Sequence, residues 1–192
     1  MPPAHRRRLV PVLLVLALAL LLGPPVAVAR EADKSWEFGP YTMISRFSNS
    51  TYFDSTLGFG ARGAYHLKAI HEIEADFDMA TADDSRIKSI QYDVTKFGVG
   101  YVRNFLIKGH EKMTPFTTFG LGWVTVDDGT DSEGSTVYRG GAGFKYWFTP
   151  HVGFRFDARI WRWHGNGVVV TRDPFYSVDA VFGMTFLTGG TK

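Results

Sequence analysis

The sequence predicts an all-β chain, an eight-stranded antiparallel up-and-down transmembrane β-barrel. Three observations carry that expectation. Apolar and polar residues alternate with a period of two through most of the chain after residue 35, and a dyad period means strand, because successive side chains point to opposite faces. Eight such runs follow one another with no helical pattern between them, so neighbours join as antiparallel hairpins. One face of these runs is apolar and aromatic, while the other mixes glycine with full charges of both signs.

The N-terminus bounds the compartment. His5, Arg6, Arg7 and Arg8 precede an apolar run from Leu9 to Leu22, then Gly23-Pro24-Pro25 and the small-residue site Ala27-Val28-Ala29. A charged region, an apolar region and an A-x-A site make a signal peptide, expected over 1–29 with cleavage near Ala29. The apolar run falls short of the roughly 20 residues a spanning helix requires. One domain is expected over 30–192. Without the three signal arginines, 21 Lys and Arg become 18 against 19 acids, a formal charge of −1 in place of +2. The apparent basicity therefore belongs to the leader, and no nucleic-acid partner is implied. There is no cysteine, which excludes disulfides and thiolate metal sites together.

Taken in order, the first strand is expected over Trp36 to Phe47, with Trp36, Phe38 and Ile44 opposite Glu37 and Gly39. Pro40 has no amide hydrogen to give a ladder, so a bulge or local break is expected there. Ser48 to Asp54 is a Ser/Asn-rich loop. From Leu57, Phe59, Ala61, Tyr65 and Leu67 share one face, and Gly58, Gly60, Arg62 and His66 the other. After a turn near Lys68, Ile73, Ala75, Phe77 and Met79 alternate with Glu72, Glu74, Asp76 and Asp78. Four acids on one strand face repel one another strongly in a low dielectric, so cations must lie close by.

Thr81 to Ser89 is polar. The fourth strand, Ile90 to Phe105, changes phase: Ile90, Tyr92 and Val94 are even, Phe97, Val99 and Tyr101 odd. Such a shift requires a bulge near Thr95 or Lys96, or an upper part that stands clear of the membrane. Leu106 to Thr114 connects to the fifth strand, Pro115 to Val126, where Phe119, Leu121 and Trp123 oppose Thr118, Gly120 and Gly122.

The clearest pattern lies between Thr136 and Trp163. Ala142, Phe144, Tyr146 and Phe148 alternate with Arg139, Gly141, Gly143 and Lys145, and Val152, Phe154, Phe156, Ala158 and Ile160 with Gly153, Arg155, Asp157 and Arg159. The connection Phe148-Thr149-Pro150-His151 makes these two runs a hairpin. A loop from His164 to Pro174 leads to the eighth strand, Phe175 to Leu187, with Val178, Ala180, Phe182, Met184 and Phe186 against Ser177, Asp179, Gly183 and Thr185. Connections after the odd strands are polar and roughly seven to eleven residues long, and those after strands two and six are short, as in barrels with loops at one rim and turns at the other.

Alternation alone fits both a membrane barrel and a soluble lipocalin-like barrel that binds a ligand inside. Three features favour lipid outside. Glycines accompany the charges on one face, and an eight-stranded barrel leaves an interior barely wide enough for side chains. The charges on that face nearly cancel: Glu72, Glu74, Asp76, Asp78, Asp157, Asp179 and Glu37 against Arg62, Arg139, Lys145, Arg155, Arg159 and His66. Buried charges persist only when paired, so an interior ionic network is expected. Trp36, Tyr65, Tyr101, Trp123, Tyr146 and Phe186 lie on the apolar face, several near strand ends where interfacial girdles form, and Arg103 and Arg162 sit where long side chains snorkel.

The stretch Gly141-Ala142-Gly143-Phe144-Lys145-Tyr146, through Thr149-Pro150 to Val152-Gly153-Phe154-Arg155-Phe156-Asp157, resembles the penultimate hairpin of the small OmpA/OmpX-like outer-membrane barrels. Pro115-Phe116 followed by Gly120-Leu121-Gly122 is similar to their fifth strand. The resemblance implies a cell outer membrane location of the Gram-negative kind and dealings with outer-membrane lipids, lipopolysaccharide and the barrel-insertion machinery. It also implies loops offered to surface partners. Family members usually end on an aromatic residue, a pattern from which Phe186 and the following 187–192 depart.

No catalytic residue, metal ligand or cofactor is assigned. Lipid A deacylases of this size carry a His followed two residues later by Ser, whereas His164 is followed by Gly165 and Asn166, so the nucleophile is missing at that offset. The acidic stretch Asp127 to Glu133 could hold a divalent cation through carboxylate oxygens, but it matches no EF-hand spacing and reads as a solvated loop. The expected function is structural or surface-interacting, with an interior plugged by ions and no general porin activity. A lipid-A-modifying enzyme and a soluble periplasmic barrel are the alternatives.

Overall fold

A computed structural model describes residues 33–48, 53–85, 87, 90–163 and 175–189. Its strands are β1 (Ser35–Phe47), β2 (Thr56–Lys68), β3 (His71–Asp83), β4 (Gln91–Asn104), β5 (Met113–Asp127), β6 (Ser132–Trp147), β7 (Val152–Trp163) and β8 (Phe175–Gly189). Each pairs antiparallel with its sequence neighbour, and β1 pairs with β8 to close the barrel. Closure leaves no unpaired edge, which is what allows a sheet to sit in hydrocarbon. The expected signal peptide, 1–29, and the expected loop from His164 to Pro174 lie outside the described residues.

Which face is outside is settled by the side chains. The outward row carries Trp36, Phe38 and Ile44 on β1, Leu57 and Phe59 on β2, Phe97 and Val99 on β4, and Phe119, Leu121 and Trp123 on β5. Leu57 is 70% exposed and Phe59 65%. A continuous apolar surface of this kind is incompatible with water and suited to acyl chains, so the ligand-in-lumen barrel is excluded. Aromatic contacts run along the belt: the Trp36 and Tyr65 rings lie 4.9 Å apart, and those of Phe156 and Phe182 4.8 Å.

The strands are longer than the alternation predicts. β3 runs on to Asp83, and β5 and β6 extend until only 128–131 separate them, so the third loop is shorter than expected. The phase change in β4 involves no bulge: its register with β3 runs unbroken from Gln91 to Arg103 and with β5 from Asp93 to Asn104. Instead both faces exchange character. Tyr92, Val94, Val124 and Val126 point inward and are buried, while Gln91, Asp93 and Asp127 face outward. Polar outside and apolar inside is the pattern of a strand in water, so these strands rise above the lipid belt.

Pro40 behaves as a one-sided break. Its pairing with Ala61 on β2 is retained, but the ladder to β8 skips Gly39 and Pro40 between Phe38↔Phe186 and Tyr41↔Gly183 without a change of register. At the opposite turn, the Thr149 hydroxyl accepts the amide hydrogen of Val152 at 3.0 Å, which holds 148–151 tight between β6 and β7.

Candidate functional site

The lumen is the chemically distinctive part of the molecule, and it is layered. Dyad alternation directs Arg62, Glu72, Glu74, Asp76, Asp78, Arg139, Lys145, Arg155, Asp157, Arg159 and Asp179 inward, and all of them are buried. Arg155 lies at the centre. Its Nη1 donates to Glu74 Oε2 at 2.5 Å, its Nε donates to Asp157 Oδ1 at 2.9 Å, and Glu37 and Glu72 stand 3.6 and 3.7 Å away. Asp157 also receives Arg62 Nη1 at 2.9 Å and both Nε and Nη2 of Arg159 at 3.0 and 2.5 Å. Arg139 donates to Asp76, and Arg159 Nη1 lies 3.4 Å from the same carboxylate. Glu72, Glu74 and Asp76 of β3 thus find their cations on β6 and β7, across the lumen.

Beneath this layer, Lys145 Nζ bridges Glu37 Oε2 at 2.6 Å and Glu72 Oε2 at 2.7 Å. His66 Nε2 is 3.0 Å from the first carboxylate and 3.6 Å from the second. One ligand atom each of Glu37, His66 and Glu72 fall within 4.8 Å of one another, the spacing of a metal site. The ammonium of Lys145 already supplies the charge between the carboxylates, so the group is a compensated ion cluster.

Lys96 is the interior cation that dyad reading misses, because it sits where the phase changes. It donates to Asp179 Oδ2 at 2.7 Å and to Ser177 Oγ at 3.1 Å. Above it lies an apolar cap of Phe47, Ala82, Tyr92, Val94, Val124, Val126, Val137 and Trp161, with Phe53 and Ile90 packed against it. Trp161 forms the boundary: its ring lies 5.5 Å from Lys96 Nζ and 5.7 Å from the Arg139 guanidinium carbon, within cation–π range. Toward the turns, Trp147 and Leu187 form a second small apolar cluster. Inward tryptophans escape a reading that assigns every aromatic to the lipid face. The signal available was the exchange of both faces in the upper strands.

The acidic stretch resolves into a turn. Asp127 Oδ1 accepts the amide hydrogen of Gly129 at 2.7 Å, and Asp128 Oδ1 accepts those of Thr130 and Asp131 at 2.9 and 2.8 Å. Gly129 takes the left-handed conformation that this reversal requires, at φ 83°. The backbone amides of Asp131 and Thr130 hold the Asp128 carboxyl below its ordinary range. Glu133 belongs to β6 and is buried, so the carboxylates of 127–133 do not converge on a common point.

Comparisons place this architecture. The structure superposes on that of Neisserial surface protein A with a TM-score of 0.61 at 16% identity, covering 80% of this chain and 99% of that one. The outer membrane protein OprG from Pseudomonas aeruginosa gives 0.57 at 10% identity, covering 85% and 100%. The outer membrane enzyme PagL gives 0.51 at 12% identity, covering 76% and 97%. At such identities the likeness is one of fold. No curated protein matches the chain by sequence. The family model described as the outer membrane protein beta-barrel domain matches residues 14–173. The chain therefore belongs to the outer membrane protein beta-barrel domain family, and its place is the outer membrane.

Proposed function

We propose that this protein is a non-conducting outer-membrane barrel that serves as a rigid anchor for its loops, which face the cell surface and meet partners there. The observation that carries the reading is the filled lumen. Charged side chains from β3, β6 and β7 are buried in mutual contact at mid-height, and the Trp161 cap lies over them. An eight-stranded barrel has little interior volume, and paired ions that fill it leave no continuous aqueous path. The ion pairs also fix strand register from within, because Glu72, Glu74 and Asp76 on β3 face cations on β6 and β7 across the lumen.

PagL is described as an enzyme, and a shared fold does not carry its activity to this chain. His164 followed by Gly165 and Asn166 lacks the serine that lipid A deacylases place two residues on. The reading is therefore non-catalytic. Two measurements test it. Folded full-length protein in planar bilayers of phosphatidylcholine is expected to give no stepwise current in molar KCl. Reproducible single-channel steps from the unmodified protein would refute the closed lumen. Lipid A profiles by mass spectrometry, with and without expression, are expected to be identical, and loss of an acyl chain on expression would establish an enzyme.

A further inference from the structure

Among the described residues, the outward charges at the loop end of the strands are one-sided, and this points to a lipid contact. On β3, β4 and β5 the outward residues above the belt include Asp83, Asp93 and Asp127. On β7 and β1 they are Arg162 and Arg46, both outward and exposed. Among the described residues, neither guanidinium has a hydrogen bond or an ion pair. Register places Arg162 directly between two outward tyrosines, Tyr138 on β6 and Tyr176 on β8, which are 65% and 49% exposed.

Each arginine stands one outward position beyond the apolar belt: Ile160 precedes Arg162 on β7, and Ile44 precedes Arg46 on β1. That depth is the headgroup layer, where lipid phosphates lie and a guanidinium can bind phosphate oxygens in bidentate fashion. Partial exclusion of water there strengthens the contact relative to a bulk-water ion pair. Loops of a barrel face the exterior, so the headgroups in reach belong to the outer leaflet.

Resting on the outer-membrane reading above, we infer that Arg46, Arg162, Tyr138 and Tyr176 form a docking site for the phosphates of lipid A, the lipopolysaccharide anchor. Strand spacing and the two-residue offset between Val178, opposite Arg46, and Tyr176, opposite Arg162, put the Cα atoms of the two arginines roughly 12 Å apart, within the span of their long side chains. A glycolipid with more than one phosphate can meet both, whereas a phospholipid phosphate meets one.

The test uses full-length protein in phosphatidylcholine nanodiscs, titrated with bis-phosphorylated lipid A, phosphate-stripped lipid A or phosphatidylglycerol, with retained lipid measured by mass after washing. The unmodified protein is expected to retain only the phosphorylated lipid A, and the Arg46→Gln/Arg162→Gln double variant roughly tenfold less. Arg103→Gln at the turn end is expected to retain it fully. Equal retention by the double variant, or equal retention of either other lipid by the unmodified protein, overturns the site. Gel mobility before and after boiling separates the two readings. If the unmodified protein shows no shift, the membrane barrel itself fails; if it shifts and retains no lipid A, only the docking site fails. Should the double variant not fold, Arg162→Gln alone carries the comparison.

Discussion

Asp78 accepts a hydrogen bond from the hydroxyl of Tyr41 in the barrel interior. Unlike Glu37, Glu72, Glu74, Asp76, Asp157 and Asp179, it has no basic nitrogen within 4.0 Å among the described residues. The phenol is therefore its direct hydrogen-bond partner, while Arg159 and Lys96 act on it from beyond ion-pair distance. Tyr41 is itself pinned from the other side, with the Arg62 guanidinium 4.5 Å from its ring.

Replacing Tyr41 by Phe keeps the ring and removes the donor, leaving a buried carboxylate with a full desolvation penalty. The expected loss is about 1–3 kcal/mol, read as a lower urea midpoint for the boiled-to-unboiled mobility shift in vesicles. Asp78→Asn in the Tyr41→Phe background is expected to recover most of that loss, since the neutral amide carries no charge to compensate.

Lys96 and Asp179 form an ion pair set apart from the Arg155 cluster, at 2.7 Å with both side chains fully buried. Removing one member strands the other. Lys96→Met is expected to cost about 3–5 kcal/mol, and adding Asp179→Asn should return the barrel to near its original stability, because replacing both members of a buried pair is often neutral. Urea unfolding of the two single variants and the double variant closes the cycle. Additive losses in the double variant would mean that the pair contributes no coupling.

The fold was legible where physics imposes one rule on a whole strand. In β7, Phe154, Phe156 and Ile160 face lipid, and Arg155, Asp157 and Arg159 face the lumen, so alternation alone gives strand, face and neighbours. It was least legible where the environment changes along a strand. Above the belt the solvent outside is water, so Asp93 and Asp127 point outward and Val94 and Val126 inward, which imitates a register slip. Lys96 was hidden at that transition. The ionic partners across the lumen, such as Arg155 with Glu74, depend on barrel closure, which dyad patterning does not encode.

The turn after β5 yields a pH prediction. Asp128 is partly exposed, and its carboxyl is held down by the amides of Asp131 and Thr130. A group whose folded-state pKa is depressed contributes ordering above the carboxylate range of the unfolded chain and loses it as pH falls through the folded value. Amide hydrogen exchange at Thr130 and Asp131, normalised for intrinsic rates, should therefore show protection at neutral pH that fades in strong acid. Asp128→Ala should abolish the pH dependence and leave the barrel's unfolding midpoint unchanged.

Trp161 separates the apolar cap from the ions and fits against two glycines. A Cβ on Gly98 would stand 2.9 Å from its Cη2, and one on Gly122 3.0 Å from its Cζ3. At Gly122 the Phe97 carbonyl oxygen lies closer still to that Cβ, so Gly122→Leu is expected to prevent folding, as judged by loss of the mobility shift. Trp161→Ala removes the ring and should destabilise the barrel by about 3–5 kcal/mol. The paired charges beneath are untouched by that change, so Trp161→Ala is expected to remain electrically silent in planar bilayers. Combining it with Arg139→Ala leaves Asp76 with only the 3.4 Å contact to Arg159 and opens both tiers at once, and should give measurable current. Current from Trp161→Ala alone would assign the seal to the apolar cap and remove the ions from that role.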